Sequence, residues 1–433
     1  PVGETSSYYN SKNKTMDGEW QTPIIRFVKN AEVPVVPLYF NEDSLVYYKA
    51  LSNIHPLLKA IQLPKSVLNL KNDNPIKIKI GTPISVKDQK VFEKPHDFGR
   101  FLRAKTFALG NSLDVDSFYI KYDVMTKKKE DKIVTAVAVE EIKFEIERLS
   151  QNYLIYEMND YKVMFAPAYM MTNVLHEIGR LREITFREVG EGTNKSIDLD
   201  QYDVYYHHLI IWDEKNSSIV GAYRIGFGRD IIAMYGIKGF YTRSLFKIDQ
   251  AMVPILQQSL ELGRSFIVKE YQRKPLSLFL LWKGILAVLI KNQSYRYLIG
   301  PVSISNDLSK FSKSLLIEFV KSNYYNEILA QYIKPKKKFK VKKKFLPDIE
   351  YMIEVSDDDI DRIDRWINDI EDSSKVPILL KKYLKLNAKI IGFNIDPRFN
   401  NCIDGLMILD IFDVPQDLIE SMSKELGVGD SIM

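Results

Sequence analysis

Two strand-like runs separated by a short connection constrain the fold of this chain more than any other feature. The first run is Tyr205 to Trp212 (YYHHLIIW) and the second is Ser218 to Phe227 (SIVGAYRIGF), and both are rich in β-branched and aromatic residues. The five residues between them, Asp213 to Ser217, have the composition of a turn. The pattern predicts a β-hairpin.

Helices and single strands surround this hairpin along the chain. An amphipathic helix is predicted at Val139 to Leu149 and a second helix at Val174 to Arg187. After the hairpin, the predicted elements are a helix near Pro254 to Leu262, a strand at Ser265 to Val268, an apolar helix from Pro275, and a strand at Tyr297 to Ile304. In the tail from Leu346, which is otherwise left unassigned, the patterns are an acidic helix near Asp357 to Asp372 and strands at Ile390 to Ile395 and Gly405 to Leu409.

The N-terminal region has the pattern of a separate α/β module. Its predicted strands are Glu32 to Phe40 and Ile76 to Ile80, with a helix opened by Pro23 at Thr22 to Lys29. Further helices are predicted at Leu51 to Ile61 and His96 to Leu109, and the polar stretch Asp114 to Asp131 is the predicted linker.

Composition excludes several classes of protein. The chain has 433 residues, of which 45% are hydrophobic and 27% charged, so it has enough apolar residues for two or three folded domains. A net charge of +5 argues against a dedicated nucleic-acid binder. Cys402 is the single cysteine and there are five histidines, so neither a disulfide framework nor a Cys/His zinc cluster is expected. We therefore expect the protein to be in a reducing compartment.

One apolar run, Leu276 to Ile290, has a composition that could suggest a membrane helix. It is too short to cross a bilayer and contains Lys283. It predicts a buried helix, with a helix lying on a membrane surface as the alternative.

Ionisable residues are concentrated on elements of the second module that should be buried. Because unpaired charges in a core are costly, they predict a connected network. The alternative is a solvated loop with ordinary salt bridges. The residues are Glu177, Arg180, Arg182, Arg187, Asp198, Asp200, Asp203, Arg224, Glu261 and Arg264.

Four ordered segments of this module carry a resemblance to a known family. They are Leu181 to Gly192 (LREITFREVGEG), Asp198 to Asp213 (DLDQYDVYYHHLIIWD), Ile219 to Gly226 (IVGAYRIG) and Glu261 to Gln272 (ELGRSFIVKEYQ). Between about Tyr161 and Ile333 the chain resembles the acyl-carrier-protein-dependent branch of the GNAT superfamily. Within that branch it is most similar to the hemolysin-like amino-acid N-acyltransferases of ornithine- and glycine-lipid synthesis, relatives of the acyl-homoserine-lactone synthases.

The resemblance implies a set of site residues near the acceptor and acyl donor. The implied catalytic residues are Glu261 and Arg264 of an E-x-x-R pair and Arg224 of G-x-x-R. The implied substrate-binding residues are Arg182 and Phe186 of LR-x-x-x-F, with the paired loop aspartates Asp200 and Asp203. Carboxylates can hold the ammonium of a zwitterionic amino acid while an arginine binds its carboxylate.

The implied reaction is amide formation from a thioester. It needs a free amine and a stabilised oxyanion, and Glu261 or a water held by it is the candidate base. GNAT folds bind the thioester between two splayed strands, which we place at Ser265 to Val268 and Tyr297 to Ile304. His207 and His208 point to opposite faces of a strand, so one could reach the site, with packing as the alternative.

The expected acyl donor and partner depend on two features of the sequence: the lack of a glycine-rich phosphate loop and a run of lysines. A glycine-rich phosphate loop is not evident, which favours acyl carrier protein with its phosphopantetheine thioester as donor; acyl-CoA is the alternative, and no bound cofactor is expected. The run Lys334 to Lys344 would attract an acidic carrier protein or an anionic membrane, unless it is only a solvated loop. Phe339 and Phe345 favour the membrane surface. The residues assigned to this contact are Lys336, Lys337, Lys338, Lys342, Lys343 and Lys344.

The N-terminal module carries a second resemblance. Pro1 to Tyr8 (PVGETSSY) is similar to the F-P-x-G-x-x-S motif of the glycerolphosphate and lysophosphatidate acyltransferases, Val33 to Phe40 to their V-P-x-x-P motif, and Ile78 to Ile84 to a closing strand. The resemblance implies that a complete protein binds the acceptor phosphate or head group at Gly3, Glu4 and Ser6.

That family also uses an H-x-x-x-x-D pair upstream of its first motif. The chain starts at Pro1 without an initiator Met, so we expect a fragment whose O-acylation half is inactive. The same spacing at His208 and Asp213 is interpreted as coincidence, because residues five apart in a strand face opposite ways.

Together these patterns predict an α/β protein. A partial glycerolphosphate-acyltransferase-like domain spans 1–110, a linker 111–133, and a GNAT-like mixed-sheet domain with a C-terminal extension 134–433. The order resembles bifunctional ornithine-lipid synthases and implies an acyltransferase of membrane-lipid biosynthesis. It would transfer a (3-hydroxy)acyl chain from acyl carrier protein to the amine of an amino acid. The expected location is cytoplasmic, peripheral on the inner face of the cell membrane.

Two alternatives stay open at this stage. One is a phospholipid- or glycerol-type O-acyltransferase, acting on a lyso-lipid, whose GNAT-like half only binds carrier protein or membrane. The other is a scaffold that recruits carrier protein through Lys334 to Lys344. No metal site and no nucleic-acid partner are expected.

Overall fold

A computed structural model describes residues 7–9, 14–16, 20, 22–40, 78–113, 130–341, 345–371 and 375–416. Several expectations fall outside these residues. They are the helix at 51–61, most of the linker at 114–131, and the site residues Gly3, Glu4, Ser6, Lys342, Lys343 and Lys344.

The strands of the described residues are numbered in chain order. They are β1 (Ser7–Tyr9), β2 (Lys14–Met16), β3 (Leu38–Phe40), β4 (Ile78–Ile80), β5 (Leu154–Met158), β6 (Tyr161–Pro167), β7 (His207–Asp213), β8 (Ser218–Phe227), β9 (Phe246–Ile248), β10 (Ser259–Ile267), β11 (Tyr297–Ile304), β12 (Ile333–Pro335), β13 (Lys389–Asp396) and β14 (Cys402–Asp410).

The α-helices are numbered in the same way. They are α1 (Thr22–Asn30), α2 (Val86–Lys90), α3 (Pro95–Leu113), α4 (Val139–Tyr153), α5 (Asn173–Glu188), α6 (Gly228–Tyr235), α7 (Val253–Gln257), α8 (Lys269–Gln272), α9 (Pro275–Lys291), α10 (Lys310–Asn323), α11 (Glu327–Ala330), α12 (Leu346–Glu354), α13 (Ile360–Ile370) and α14 (Ile378–Lys385). Within the described part of the chain, none of them is both long and apolar enough to cross a membrane.

The chain divides into two compact units. The first contains Pro1–Ile120, Leu308–Glu318 and Val341–Lys375. The second contains Lys121–Asp307, Phe319–Lys340 and Val376–Met433. The domain boundaries expected from the sequence stay a prediction.

The first unit is built around helix α3, which packs against α1, β3, β4, α12 and α13. A buried ion pair crosses its core, with Lys105 Nζ 3.1 Å from Asp369 Oδ2. Strands β3 and β4 pair antiparallel, and an isolated bridge joins Val35 to Ile84. The strand predicted from Glu32 is therefore shorter, because Pro34 and Pro37 have no N–H to donate to a ladder.

The second unit is organised by an eight-stranded mixed sheet. Its strand order is β13-β14-β11-β10-β8-β7-β6-β5, and only β10 and β11 run parallel among its neighbouring pairs. The predicted hairpin is confirmed as β7 and β8, whose residues are almost all buried. The predicted strand Tyr297 to Ile304 is confirmed as β11.

Adjacent residues of β8 show what covers each face of this sheet. Tyr223 shares a hydrogen bond of 2.8 Å with Tyr383 of α14, while Arg224 enters a group of aspartates beside α5. Helix α9 packs on β6, β7 and β8. The N-terminus of α5 is capped from α4, since Glu145 accepts hydrogen bonds from the N–H groups of Thr172 and Val174 at 2.9 and 2.6 Å.

One predicted element is wrong. The helix expected near Pro254 to Leu262 ends at Gln257, and β10 already begins at Ser259. Leu260, Glu261 and Leu262 pair with β8 instead. Tertiary pairing in the centre of the sheet thus overrides a helical pattern in the sequence, and Glu261 lies within a strand.

Strands β10 and β11 part soon after they meet. Their parallel ladder covers three pairs, from Ser259 with Tyr297 to Glu261 with Ile299, yet β10 runs on to Ile267 and β11 to Ile304. The register of β10 against β8 shifts between Gly263 and Phe266. The two strands that diverge, β10 and β11, are the pair in which the GNAT resemblance led us to expect the splay.

The close approach at the start of this divergence gives a stability prediction. A Cβ at Gly300 would lie 2.2 Å from the carbonyl oxygen of Leu262, whereas nothing lies within 4 Å of one at Gly263. We expect Gly300→Ala to cost about 1–3 kcal/mol of unfolding free energy in urea titrations. Gly263→Ala is the matched control, and equal midpoints for the two variants would contradict the register of β10 and β11.

Candidate functional site

Arg182 of α5 is the centre of a buried charge network. Its side chain is 1% exposed, and its guanidinium donates to both carboxylate oxygens of Asp203, at 2.8 and 3.1 Å. Its Nε also reaches Asp198 Oδ2 at 3.2 Å. The bidentate contact with Asp203 is the strongest geometry that an arginine and a carboxylate can adopt.

Arg224 of β8 extends the network from the sheet. Its Nη1 lies 2.7 Å from Asp200 Oδ1 and 3.1 Å from Asp203 Oδ2, while its buried Nη2 has no hydrogen-bond partner in the described part of the chain. The guanidinium is enclosed by aromatic rings at 5.3–5.6 Å, which can interact favourably with a cation. The rings belong to Tyr202, Tyr206 and Tyr241.

Arg264 of β10 contributes the third arginine from the strand that parts from β11. Its backbone has φ of 54°, an uncommon value for a residue with a Cβ, and it lies within the register shift of β10. Its Nε is 3.3 Å from Asp198 Oδ2 and its Nη2 is 3.7 Å from Asp200 Oδ2. The irregular backbone thus turns this side chain toward the aspartates.

The aspartates are held in place by a local turn. Asp200 accepts a hydrogen bond from the N–H of Tyr202, and Asp203 accepts one from the N–H of Asp200 at 2.8 Å. This reciprocal pattern is a capping box at the start of the short helical turn Gln201–Val204. The spacing of three between the two aspartates therefore has a structural use as well as an electrostatic one.

Burial and charge act in opposite directions on these acids. Burial by itself would raise the pKa of Asp203, but Arg182 and Arg224 outweigh it and hold that pKa well below its usual range. The pKa of Asp198 is lowered against burial by Arg182 and Arg264. His208 lies 3.9 Å from Asp203, yet burial lowers its pKa to about 4, so its ring is neutral at pH 7.

Glu261 has the contacts of a positioning residue. Its Oε1 accepts from the N–H and hydroxyl of Thr242, at 2.7 and 2.5 Å, and its Oε2 accepts from the N–H of Tyr241 at 2.9 Å and from the hydroxyl of Tyr206. Burial raises the pKa of Glu261 and these hydrogen bonds lower it in part. With both oxygens occupied, the carboxylate fixes the turn at Tyr241, and its predicted role as base stays a prediction.

The remaining predicted residues differ in burial. Phe186 is half-buried on α5, and Lys336, Lys337 and Lys338 are exposed. His207 stacks on Phe165 with ring centroids 5.1 Å apart, as expected for a packed histidine.

Three site-forming groups were not singled out from the sequence. Tyr206 and Tyr241 enclose Arg224, and Asp404 of β14 lies beside Ser303 of β11, whose hydroxyl donates to it at 2.9 Å. Tyrosine is common throughout this chain, and nothing in the local pattern distinguishes these positions. In the described residues, no group of three or more His, Cys, Asp or Glu side chains is arranged to hold a metal ion.

The network gives a stability prediction with a defined pH dependence. Asp203→Asn leaves two buried arginines short of a carboxylate, and we expect a cost of about 3–5 kcal/mol at pH 7 in urea unfolding. The folded pKa of Asp203 is depressed, so its stabilisation is present above the unfolded value near 3.9 and is lost as pH falls below it. The difference between the proteins should therefore shrink below pH 4.

Glu188→Gln is the matched control for this variant. It removes an exposed pair with Lys269, 3.2 Å apart, and should change stability by less than about 1 kcal/mol. If Asp203→Asn costs no more than Glu188→Gln at pH 7, the network is not the stabilising element described above.

Comparisons with known proteins find a matching family and two similar proteins. Residues 181–283, which carry Arg182, Arg224, Glu261 and Arg264, match the family described as acetyltransferase (GNAT) domain. No solved structure matches the chain.

Two curated relatives, both described as glycine N(alpha)-acyltransferase, are similar to part of the chain. The protein from Bacteroides thetaiotaomicron is 34% identical over 163 residues, 35% of this chain and 48% of its own length. The protein from Phocaeicola vulgatus is 25% identical over 272 residues, 58% of this chain and 82% of its own length. The chain thus spans about half the length of the first relative. These matches support an N-acyltransferase built on a mixed sheet with a GNAT domain.

Proposed function

We propose that the second unit transfers an acyl chain from a thioester on acyl carrier protein to the α-amine of an amino acid, as a step of membrane-lipid biosynthesis. The single observation that carries the proposal is the charge network of Arg182, Arg224 and Arg264, which lies beside the strands that part beyond Glu261 and Ile299. Amide formation from a thioester requires a bound amine and donors for the oxyanion, and a charged site next to an opened strand pair can supply both.

The acceptor is proposed to be a small zwitterion. Arg224 has a buried Nη2 without a partner in the described residues, which suits it to receive a carboxylate oxygen. Asp198 and Asp200 supply negative charge for an ammonium nearby. Because both relatives are described as acting on glycine, glycine is the first acceptor to test.

The donor thioester is proposed to lie in the opening between β10 and β11. Beyond Glu261 and Ile299 the two strand edges no longer pair with each other, so main-chain N–H groups there can bind the tetrahedral oxyanion. Acyl-CoA remains the alternative donor.

The carrier protein is proposed to contact a basic surface beside the site. Burial and the neighbouring charges of Arg243, Arg398 and Lys247 lower the pKa of Lys336, so four basic groups are close together there. Arg398 also lies over the ring of Tyr241, with its guanidinium carbon 5.9 Å from the ring centroid. The surface therefore leads toward Arg264 and the parted strands.

Two wider assignments belong to the same proposal. Peripheral attachment to the inner face of the cytoplasmic membrane suits a lipid product and the exposed lysines 336–338. The N-terminal module, residues 1–110, is proposed to be glycerolphosphate-acyltransferase-like, the type of domain that would esterify the N-acyl product.

Acyl transfer can be measured directly. The chain is incubated with 3-hydroxyacyl carrier protein and a mixture of glycine, ornithine, lysine and serine, and extracted lipids are analysed by mass spectrometry. We expect a mono-N-acyl amino acid. Arg264→Gln should lower kcat/KM by at least about 30-fold, because losing a buried charge partner costs roughly 2–5 kcal/mol.

Arg229→Gln is the control for that variant. Arg229 is exposed and lies 5.9 Å from the ring centroid of Tyr295, away from the aspartates, so its loss should leave kcat/KM unchanged. Intact donor and folded protein without any acyl amino acid would exclude the proposed reaction.

The carrier-protein surface makes a separate prediction. Changing Lys336 and Lys338 to Glu should lower kcat/KM for acyl carrier protein about tenfold at low salt, since charge complementarity mainly sets the association rate. The loss should shrink at high salt and be absent with a small acyl-pantetheine donor. Lys215→Glu in the β7–β8 turn is the control, and equal effects of both changes would refute a localised docking surface.

A further inference from the structure

Asp404 is a buried carboxyl group of which only one oxygen accepts hydrogen bonds from the described residues. It lies on β14 directly opposite Ser303 of β11 and is 4% exposed. Its Oδ1 accepts a hydrogen bond from the Ser303 hydroxyl at 2.9 Å and a weak one from the Cys402 thiol at 3.9 Å. Within the described part of the chain, no hydrogen bond reaches its Oδ2.

The position of Asp404 in the sheet relates it to the parted strands. Ser303 lies four residues beyond Ile299, the last residue of β11 that pairs with β10, so Asp404 lies beside the part of β11 that borders the opening, one strand removed from β10. Arg264 lies on β10 at the other side of the opening, three residues beyond Glu261. The guanidinium carbon of Arg264 lies 5.1 Å from the ring centroid of Tyr241. Its positive charge also acts to lower the pKa of Asp404.

Asp404 differs from the other acids of the site in its surroundings. Asp198, Asp200 and Asp203 are each within 4 Å of an arginine, and Glu261 has both oxygens occupied. Asp404 has no such close arginine among the described residues, and only one of its two oxygens accepts hydrogen bonds there.

The charged groups that face Asp404 mostly repel its negative form. The repelling groups are Asp396 on β13 and Glu191, and the attractive group is Arg264. Asp396 is itself paired with Arg398 at 2.9 Å. Burial, opposed by the Ser303 hydrogen bond, raises the pKa of Asp404 to about 7. Burial and Asp307 raise the pKa of Glu191 to about 7 as well. A base is most effective when its pKa is close to the working pH.

We propose that Asp404 is the general base that takes a proton from the acceptor ammonium, with Ser303 holding the carboxylate toward the opening. The inference rests on the proposed N-acyl transfer. The ammonium gives one proton to Oδ2 of Asp404, and the free amine attacks the thioester carbonyl, forming a C–N bond. When the tetrahedral intermediate collapses, the C–S bond breaks and the thiolate takes the second nitrogen proton. Asp404 then returns its proton to solvent.

The test compares two acceptors in the full chain. With glycine, Asp404→Asn should lower kcat at least about 100-fold near pH 7.5, because general-base catalysis contributes roughly 10²–10⁴. Hydroxylamine is uncharged at neutral pH and needs no base, so its transfer rate, after subtraction of the enzyme-free reaction, should stay within about threefold of the unsubstituted chain.

The pH profile provides a readout that a purely structural role would not move. With glycine, kcat of the unsubstituted chain should rise with pH through about 7 as Asp404 loses its proton. Glu191→Gln removes a neighbouring negative charge, so this rise should shift to lower pH while the plateau is retained. Asp160→Asn, at an exposed position, should leave the profile unchanged.

Unfolding measurements guard against a folding defect. The folded pKa of Asp404 is raised, so ionising it costs stability as pH rises through about 7. Asp404→Asn should therefore be at least as stable as the unsubstituted chain at pH 8.

The outcomes separate this inference from the proposed function. If the unsubstituted chain acylates none of the four amino acids and not hydroxylamine, the proposed function fails and the inference fails with it; if another of the four is the acceptor, it replaces glycine in this test. If the unsubstituted chain acylates glycine and Asp404→Asn retains more than a third of that rate, or loses both acceptors equally, Asp404 is not the base although the function stands.

Discussion

The structure of the second unit depends on neutralising three arginines beside its sheet, two of them buried and one 12% exposed. They come from a helix and two strands, and each is within 4 Å of two aspartates supplied by one short loop. Buried ion pairs of this kind are costly to desolvate and seldom add net stability, but removing one partner is more costly still. The residues are Arg182, Arg224 and Arg264 with Asp198, Asp200 and Asp203.

This network is linked to the opening between β10 and β11 near the centre of the sheet. Strand β10 leaves its regular register after Gly263, which turns Arg264 toward the aspartates, and its ladder with β11 has already ended at Glu261. Glu261 itself fixes the turn at Tyr241, whose ring covers both Arg224 and Arg264. The opening between the strands and the charge beside it are thus consequences of one arrangement.

The far side of that opening is formed by β11, whose other edge is covered by a strand from the tail. Strand β14 pairs with β11 and brings Asp404 to the level of Ser303. The two sides differ in charge, since arginines dominate at β10 while carboxylates face one another at β14. A zwitterionic acceptor between them would meet a cationic group on one side and an anionic group on the other.

The sequence determined the elements whose pattern is local. The hairpin of β7 and β8, the strand β11 and the helices α4, α5 and α9 follow from periodicity and turn composition. The resemblance to the GNAT family pointed to the arginines and aspartates of the network. Tertiary structure decided the rest, because sheet pairing is non-local. It made a strand of Ser259–Ile267 where the local pattern favoured a helix, saturated Glu261 with partners distant in sequence, and placed Asp404 beside β11. No local pattern carries that information, since a carboxyl acquires its role from the groups that the fold brings within hydrogen-bonding distance of it.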